Sequence, residues 1–416
     1  MASLLNEAAL PGPQGEDGPV YVDYNASTPI AREVADAMAP YLYEHWGNPS
    51  SAYVYGRRTA EAVANARRQL AALLNAQEAQ AHVTFTSGGT ESNNWAIRGA
   101  ARAMRAADKK RSHIVTTCVE HPAVLEVCRF LRDVEGFELT EVAVDAEGVC
   151  AVEALEEAIR PGETALVTVM HSNNEVGALM PVREAAGLAH AAGALCHTDA
   201  SQSVGKVPVD FVALGVDFLT VAGHKMYAPK GCGALIHRRD VPMEKFMIGA
   251  GHEQGRRAGT ENVILNVGLG AAAALAHSRG VAQTAAKLAA RREELRGALL
   301  ATLEGAGVQA RVNGPGDAAR RLPNTLSISL RGVVGAKLVA RVQDKVACSS
   351  GSACHAGAVR MSGVLRAMGV EPEWGDGTVR LSVGKYTTSR DVEVVAREIA
   401  VAAAEELRLG SGVTSG

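Results

Sequence analysis

The residues best suited to chemistry fall in four short segments, and the first is centred on a lysine. Lys225 follows the apolar run Asp217–Val221 in the segment Gly223-His224-Lys225-Met226-Tyr227. A lysine buried at the end of a strand is costly to keep charged, so its pKa falls and its neutral amine can attack an aldehyde. A surface loop is the ordinary alternative, because most lysines are exposed.

A carboxylate ends an earlier predicted strand, 26 residues before this lysine. Asp199 stands in the segment His197-Thr198-Asp199-Ala200-Ser201-Gln202. A carboxylate there could keep a pyridine nitrogen protonated, as a pyridoxal-phosphate site requires if the ring is to accept electrons. Taken alone, an aspartate in this position is more often a helix N-cap.

A glycine-rich segment, Ser87-Gly88-Gly89-Thr90-Glu91-Ser92-Asn93-Asn94, follows a predicted strand and begins a predicted helix. Its glycines allow a ligand to approach the backbone closely. The unpaired N–H groups of the first helical turn, together with the helix dipole, can bind a phosphate. An ordinary glycine turn explains the segment equally well when it is considered alone.

The fourth segment carries a thiol, Cys354, within Cys348-Ser349-Ser350-Gly351-Ser352-Ala353-Cys354-His355-Ala356-Gly357. Its small residues predict a loop that can carry the thiol into and out of a site. A free cysteine is also often just a small core residue. We expect that role for Cys348, on a predicted strand, and for the five remaining cysteines, which are Cys118, Cys128, Cys150, Cys196 and Cys232.

Short apolar strands alternating with helices must position these segments. The helix Ala60–Leu74 is one of those predicted between strands. Strands that are apolar throughout are typical of a sheet buried on both faces, and strand–helix alternation indicates a mostly parallel α/β sheet. The strands predicted in this part of the chain are His82–Thr86, His113–Thr117, Leu166–Met170, Ala194–Thr198 and Asp217–Val221.

The pattern changes after residue 270 and predicts a smaller α+β domain. A helix over 281–304 and a final helix Asp391–Leu409 enclose three predicted strands, which are Asn324–Leu330, Lys345–Ser349 and Thr378–Val383. We therefore expect an N-terminal arm at 1–19, a large domain at 20–270 and a small domain at 271–416 that carries the Cys354 loop. The N-terminal segment could pack with the small domain.

Composition excludes several classes of function. The formal net charge is only -3 over 416 residues, which gives no electrostatic reason to expect nucleic acid or an anionic membrane as a partner. Seven cysteines without a CxxC pair predict neither a disulfide framework nor a metal site, and they favour a reducing compartment. No Lys or Arg precedes Arg32, so we expect a cytoplasmic protein without a secretory signal or mitochondrial presequence.

Taken together and in their order along the chain, the four segments resemble the cysteine desulfurases, the class V branch of fold-type-I pyridoxal-phosphate (PLP) enzymes. The resemblance extends from Val20-Tyr21-Val22-Asp23-Tyr24-Asn25-Ala26 to Val379-Arg380-Leu381-Ser382-Val383-Gly384. It implies a large domain with a mostly parallel, seven-stranded-type sheet plus a small α+β domain. Other matching segments are Gly47-Asn48-Pro49-Ser50-Ser51, Glu120-His121, Asn173-Asn174-Glu175 and Arg257-Ala258-Gly259-Thr260.

The resemblance also implies a set of cofactor contacts. Lys225 would form the Schiff base with PLP, Asp199 would face the pyridine nitrogen, and Gln202 would contact the ring hydroxyl. Thr260 would reach the phosphate of the neighbouring subunit, which implies a homodimer. The remaining positions that match cofactor-binding residues are Gly89, Thr90, His121, Asn174 and His224.

For catalysis, the resemblance implies that sulfur passes from L-cysteine to Cys354 as a persulfide, leaving alanine. Lys225 would remove the Cα proton and His121 would shuttle protons, while Asn174 and Arg380 would hold the substrate carboxylate. The sulfur acceptor would be an iron–sulfur scaffold protein or a small thiol. The segment from Ser349 to Cys354 resembles the branch with a long cysteine loop.

Two departures from the family pattern keep other enzymes open. Ala222 stands where many desulfurases have a phosphate-binding serine, and Val359-Arg360-Met361 replaces the Leu-Glu-Pro of the long loop. Tyr24-Asn25 and Gly47–Val54 also resemble selenocysteine lyase, for which L-selenocysteine would be the substrate. A fold-type-I aminotransferase is a further alternative, but it would have no need of Cys354.

Overall fold

The computed structural model describes residues 18–76, 81–350 and 361–412. Within them the chain forms three sheets. In chain order the strands are β1 (Val20–Tyr21), β2 (Ala81–Thr86), β3 (His113–Thr117), β4 (Glu138–Val142), β5 (Thr164–Thr168), β6 (Leu195–Asp199), β7 (Phe218–Ala222), β8 (Gly233–Arg238), β9 (Ala310–Asn313), β10 (Thr325–Leu330), β11 (Val346–Ala347), β12 (Ser349–Ser350) and β13 (Thr378–Ser382).

The helices of the described residues lie mostly between these strands. They are α1 (Arg32–Met38), α2 (Pro40–Tyr43), α3 (Val54–Leu73), α4 (Gly89–Ala107), α5 (Pro122–Glu135), α6 (Val152–Ala158), α7 (Val182–Ala191), α8 (Phe211–Leu214), α9 (Val263–Arg279), α10 (Val281–Gly305), α11 (Gly335–Val342), α12 (Gly363–Ala367), α13 (Pro372–Gly375) and α14 (Ser389–Gly412). None of the helices in the described ranges is long and apolar enough to cross a membrane.

The largest sheet has seven strands in the order β2-β8-β7-β6-β5-β3-β4. Only β8 runs against its neighbours, and the other adjacent pairs are parallel. This confirms the predicted α/β class with a mostly parallel sheet. The carboxyl ends of β5, β6 and β7 therefore share one edge, where ligands of such sheets usually bind.

Both faces of this sheet are buried. Successive side chains of a strand point to opposite sides, so they join different cores. In β7, Phe218 belongs to the apolar core on one face and Leu219 to the core on the other. Helices α4 and α5 cover the first face, and α3, α7 and α9 cover the second. These layers fix the strand ends that carry the predicted site residues.

A second core surrounds the four-stranded sheet β12-β13-β10-β9, which is antiparallel throughout. Helices α10 and α14 pack on it through residues such as Leu299 and Ile399, and Val22 joins the same core. Helix α9, by contrast, contributes Leu269 and Ala273 to the core of the large sheet. We propose that the domain boundary lies at Gly280, between α9 and α10, and that the chain around β1 belongs with the small domain.

Several predicted elements differ from the structure at their ends. The strand predicted over Leu166–Met170 is β5, which begins and ends two residues earlier, because its pairing with β3 and β6 ends at Thr168. The strand predicted over Lys345–Ser349 is divided into β11 and β12, which pair with different sheets. This division brings Ser349 beside Arg380 of β13.

Candidate active site

A cavity of about 430 Å³ opens at the carboxyl edge of the large sheet. Its walls come from the ends of β5, β6 and β7, the first turn of α4 and one arginine of β13. The lining residues are Asn25, Ala26, Gly89, Thr90, Asn93, His121, Ala123, Met170, Ser172, Asn174, Asp199, Ser201, Gln202, Ala222, His224, Lys225 and Arg380. Eight of the predicted cofactor-binding residues are thus brought together, and Arg380 lies with them.

The glycine-rich segment forms one end of the cavity. Gly88 has a φ of 151° and precedes the first turn of α4, where a run of small residues brings the backbone against β7. A Cβ atom on Gly89 would lie 3.0 Å from Ser201 Oγ and 3.2 Å from Ala222 Cβ, so a side chain here would crowd this end. The free N–H groups of this 19-residue helix therefore face an open space that suits an anion.

Lys225 lies in a 3₁₀ turn, Gly223–Lys225, directly after β7. Its Nζ donates hydrogen bonds to the carbonyl oxygens of Asn25, at 2.5 Å, and Ala26, at 2.9 Å. Burial, reinforced by the positive charge of Arg380, lowers the pKa of Lys225 to about 8. About a tenth of the amine is therefore neutral near pH 7, and the neutral amine is the form that attacks a carbonyl group.

His224, in the same turn, is kept neutral by its surroundings. Burial, with Lys225 next in importance, lowers its pKa to about 4. Its Nδ1 lies 3.3 Å from Ser27 Oγ. A neutral imidazole at this end of the cavity can donate one hydrogen bond to an anion.

Asp199 is the last residue of β6, and its side chain is held at both oxygens. Oδ2 accepts a hydrogen bond of 2.7 Å from Asn93 Nδ2, and Oδ1 accepts one of 2.9 Å from the backbone N–H of Ser201. Asn93 belongs to α4, so the helix that forms the anion end also orients the carboxylate. A fixed carboxylate in a buried position suits a protonated ring nitrogen.

His121 caps α5 and presents its ring to the cavity. Its Nδ1 accepts a hydrogen bond of 3.0 Å from the backbone N–H of Ala123, so the proton of the neutral ring lies at Nε2. Removal of bulk water from around the ring lowers its pKa, an effect that the charge of Asp199 opposes. The neighbouring Glu120 is buried and accepts from the N–H of Met170 at 2.7 Å. Burial raises the Glu120 pKa to about 8.

Arg380 points into the cavity from the small sheet. One terminal nitrogen donates to Asp23 Oδ1 at 2.8 Å and Ser349 Oγ at 3.1 Å, and the other donates to the carbonyl oxygen of Asn174 at 3.1 Å. The guanidinium is thus fixed beside Asn174, as the two residues predicted to hold a carboxylate require. Its Nε is buried and has no partner within the described residues.

The sequence motifs did not reveal a polar network centred on Asn25. Its carbonyl oxygen accepts from Gln202 Nε2 and Lys225 Nζ, and its side chain bonds Lys206, Asn174, Asn324 and Thr325. Lys206 is fully buried and donates to Gln202 Oε1 at 2.9 Å. The spacing of Gln202 and Lys206, four residues apart, was the only available signal, since a backbone acceptor such as the Asn25 carbonyl leaves none.

One predicted site residue does not line this cavity, and another lies outside the described residues. Thr260 is exposed and does not line it, although Arg257, in the same segment, is tied to the start of α4 by an ion pair with Glu91 at 2.8 Å. Cys354 lies outside the described residues. Its segment follows Ser350 and precedes Met361.

The six described cysteines are unpaired thiols. Cys128, Cys150, Cys196 and Cys232 are buried, and Cys118 and Cys348 are half-buried. Burial raises the pKa of each, to about 12 for Cys150, Cys232 and Cys348. A thiol with such a pKa is a poor nucleophile near neutral pH.

An amine of lowered pKa, a fixed carboxylate and an anion-binding helix end therefore surround one cavity. Pyridoxal phosphate carries an aldehyde, a ring nitrogen and a phosphate, and these three groups match the three features in kind. The crowding that a side chain at Gly89 would cause fits a phosphate at that end. The fold and the cavity together define a PLP-dependent enzyme of fold type I.

Comparisons with known proteins place the chain more closely. The family model described as aminotransferase class-V matches residues 20–395. A cysteine desulfurase of Trichormus azollae is 42% identical over 378 residues, which cover 90% of this chain and 90% of the relative. The chain belongs to the class-V aminotransferase family and, within it, to the cysteine desulfurases.

Solved structures agree with this assignment. A structure described as a NifS-like protein superposes with a TM-score of 0.82 at 33% sequence identity, covering 92% of this chain and 98% of the other. A structure described as SspA in complex with cysteine has a TM-score of 0.72 at 30% identity and covers 88% of this chain and 99% of that one.

Proposed function

We propose that this enzyme removes sulfur from L-cysteine, leaving alanine and a persulfide on Cys354. The observation that supports this most is the hydrogen bond of 3.1 Å from Arg380 to Ser349 Oγ. Ser349 stands shortly before Cys354 in the chain. The chain that leads to the thiol therefore starts beside Arg380, which is predicted to hold the substrate carboxylate. An aminotransferase has no use for this arrangement, and the cysteine found in the SspA structure is in keeping with such a substrate.

In the proposed mechanism Arg380 and Asn174 bind the carboxylate of cysteine and orient its Cα hydrogen toward Lys225. The Lys225 amine would hold the cofactor covalently, and once free it would be the base that removes the Cα proton. Its pKa of about 8 keeps enough neutral amine present to act as this base. When bound, PLP supplies an electron sink for the pair left on Cα, which Asp199 supports by favouring a protonated ring nitrogen.

The thiol step follows. Cys354 attacks the sulfur of the substrate as a thiolate, so an S–S bond forms and the C–S bond breaks, with the bonding pair remaining on the carbon skeleton. Protons then complete alanine, and His121 is placed to donate one from Nε2. The sum is cysteine plus a protein thiol giving alanine plus a protein persulfide, with no external oxidant or reductant.

The proposal extends to an acceptor, a partner subunit and a compartment. The persulfide sulfur passes to an iron–sulfur scaffold protein or a small thiol, as the family resemblance implies. Six unpaired cysteines among the described residues are in keeping with a reducing compartment such as the cytoplasm.

A homodimer is supported by exposed apolar side chains and by Thr260. Trp46 is 70% exposed and Ile248 is 92% exposed, which is unusual for side chains of this size. Further exposed side chains near Trp46 in the chain are Leu42, Tyr43, Tyr53 and Tyr55. Thr260 is exposed outside its own cavity, so it is free to reach the cavity of a second subunit.

The test of the proposed function compares Cys354→Ser with Cys348→Ser. We expect Cys354→Ser to bind PLP normally, to show the absorbance change caused by cysteine and to form almost no alanine. Cys348→Ser should keep close to wild-type activity, because that thiol is half-buried and its pKa is raised to about 12. Mass spectrometry of the wild type after one turnover should find one added sulfur on Cys354.

Alanine formation from cysteine at the wild-type rate by Cys354→Ser would remove that thiol from the mechanism. A wild-type enzyme that converts L-selenocysteine and ignores L-cysteine would instead identify selenium as the element it removes.

A further inference from the structure

The described residues on either side of the segment 351–360, which carries Cys354, bond acidic side chains that neighbour the carboxylate-binding residues. Ser349 precedes the segment and bonds Asp23, and Ser362 follows it and bonds Glu175. We propose that Asp23 and Glu175 are positioning residues that hold the two ends of this segment against the substrate-carboxylate site. The inference rests on the proposed function, because only sulfur transfer to Cys354 requires such placement.

At the first end, three side chains form a closed ring. Asp23 Oδ1 accepts from Arg380 at 2.8 Å, and Asp23 Oδ2 accepts from Ser349 Oγ, also at 2.8 Å. Ser349 Oγ in turn accepts from the same nitrogen of Arg380 at 3.1 Å. Ser349 is also the direct strand partner of Arg380. The side chain and the backbone of Ser349 are therefore both registered on the residue that is predicted to bind substrate.

At the second end, the hydroxyl of Ser362 has its bonding directions fixed. It accepts from the backbone N–H of Val364 at 3.0 Å and more weakly from that of Leu365 at 3.4 Å, as an N-cap of α12. A serine hydroxyl has one proton to donate, and that proton goes to Glu175 Oε2. The start of α12 is thus tied to Glu175.

Glu175 is itself held in place beside the carboxylate site. Its backbone N–H donates to Asn173 Oδ1 at 2.8 Å, and the Asn173 side chain donates to the carbonyl oxygen of Val119 at 3.1 Å. The residue before it, Asn174, receives a hydrogen bond from Arg380. Both tethers therefore lead back to the Asn174–Arg380 pair, one through each acidic side chain.

This arrangement has a functional reason. The thiolate of Cys354 must reach the sulfur of a substrate whose carboxylate is fixed by Arg380 and Asn174. We propose that holding Ser349 and Ser362 near Arg380 and Asn174 positions the thiol relative to the substrate. A misplacement of about 1 Å can cost on the order of 100-fold in rate, so loss of a tether should slow the thiol step specifically.

The first experiment compares Glu175→Leu with Glu175→Gln in the PLP-loaded enzyme. Leucine removes the acceptor for Ser362, whereas glutamine keeps an acceptor oxygen. For Glu175→Leu we expect persulfide formation on Cys354 in a single turnover to slow by about tenfold or more. The absorbance change that cysteine causes in the bound cofactor should keep its wild-type rate and amplitude. Glu175→Gln should stay within about twofold of wild type, because the bond survives.

A second pair of variants tests the tethers without altering an acidic residue. Ser362→Gly removes the hydroxyl at little cost to the helix N-cap, and Ser349→Ala removes the other tether while leaving Arg380 paired with Asp23. Each should slow persulfide formation severalfold. The matched control is Asp210→Ala, which removes the N-cap of α8 away from the cavity and should leave the rate unchanged.

A readout that needs no cofactor completes the test. In the apoenzyme, alkylation of Cys354 by iodoacetamide, followed by peptide mass mapping, should be severalfold faster in Glu175→Leu and Ser362→Gly than in wild type. The buried Cys128 and Cys196 serve as internal references. Wild-type alkylation and persulfide rates in these variants would overturn the inference, and so would an equal loss of the cofactor absorbance change and of persulfide. Failure of the wild type itself to make alanine from cysteine would overturn the proposed function instead.

Discussion

At the scale of single residues, the site depends on charges that are held apart by the backbone. Lys225 bonds two carbonyl oxygens rather than a carboxylate, so burial acts on its pKa without a close counterion. Asp199 is satisfied by an amide and a backbone N–H, which leaves its charge available to the cofactor.

The first prediction concerns the residue that anchors the cofactor. Lys225→Ala should lose the covalent attachment of PLP, since no other lysine lines the described part of the cavity. Borohydride reduction followed by peptide mapping measures this attachment directly. The control is Lys230→Ala, an exposed lysine close in the chain, which should retain the label on Lys225. A reduced label elsewhere in the Lys225→Ala protein would assign the anchor to another lysine.

The second prediction concerns the pH dependence of cofactor binding by the apoenzyme. Only the neutral amine of Lys225 reacts with the aldehyde, and its pKa is lowered to about 8. The rate of reconstitution should therefore fall by about tenfold per pH unit below that pKa and level off above it. Stopped-flow absorbance at a series of pH values measures the profile.

The charge of Arg380 contributes to this lowered pKa, which provides the control. Arg380→Gln should move the midpoint of the profile to higher pH, because removing a nearby positive charge favours the ammonium form. A midpoint near the ordinary lysine value of about 10.4 in the wild type would contradict the prediction.

At the scale of secondary-structure elements, the anion end of the cavity is made by the start of α4 and the end of β7. Ala222 ends β7, and its Cβ would lie 3.2 Å from a Cβ on Gly89. A methyl group faces the cavity where many desulfurases have a serine. The helix N–H groups must therefore hold the phosphate with one side-chain donor fewer.

The third prediction adds that donor back. Ala222→Ser should tighten PLP binding by roughly twofold to tenfold, the range expected for one additional hydrogen bond. Titration of the apoenzyme with PLP, followed by protein fluorescence, measures the affinity. Ala107→Ser makes the same change at the exposed far end of α4 and should have no effect. An unchanged or weaker affinity in Ala222→Ser would show that the alanine methyl group is needed for packing.

The elements were predictable to different degrees from the sequence. The strands of the sheet interior were recognised because burial on both faces gives them short runs without charged residues, and β7 is mostly apolar. The edge strand β4 was missed, since its sequence Glu-Leu-Thr-Glu-Val carries polar residues along one exposed edge. Strand β8 was also missed, because its antiparallel return after β7 does not follow the strand–helix alternation.

The site was predictable where side chains carry the chemistry. Residue type alone indicates a chemical role for Lys225, Asp199 and the glycine-rich turn. The structure brings them to one cavity. The roles of Asn25 and Lys206 depend on contacts between segments distant in sequence, so the spacing of Gln202 and Lys206 is the only local signal of this network. The acidic residues Asp23 and Glu175 likewise lie within motifs that resemble the family, and nothing local to them indicates that they hold other segments.

At the scale of the whole molecule, we propose that a second subunit covers exposed apolar side chains such as Trp46 and Ile248. Burial of a residue such as Ile248, 92% exposed in the isolated chain, is favourable in proportion to the apolar area removed from water. A second copy of the chain would cover it and bring Thr260 to the neighbouring cavity. Cofactor affinity and association are then linked, because each subunit contributes to binding in the other.

The fourth prediction follows from this linkage. Ile248→Asp should convert the dimer to a monomer and weaken PLP binding, since the contact from Thr260 is lost with the partner. Light scattering measures the mass, and titration with PLP measures the affinity. Val134→Asp places the same charge on another exposed apolar side chain, at the end of α5, and should leave both unchanged. A monomeric wild type with full PLP affinity and activity would contradict the prediction.

The raised pKa values of the described cysteines have a consequence for a protein that generates reactive sulfur. Persulfides exchange their outer sulfur with other thiolates, so an enzyme rich in exposed thiolates would become its own acceptor. Raised pKa values keep Cys128, Cys150, Cys196 and Cys232 in the thiol form, and Cys348, the nearest in sequence to Cys354, is protected in the same way. The fold thus disfavours transfer of sulfur to other cysteines of the same chain and leaves it available to an external acceptor.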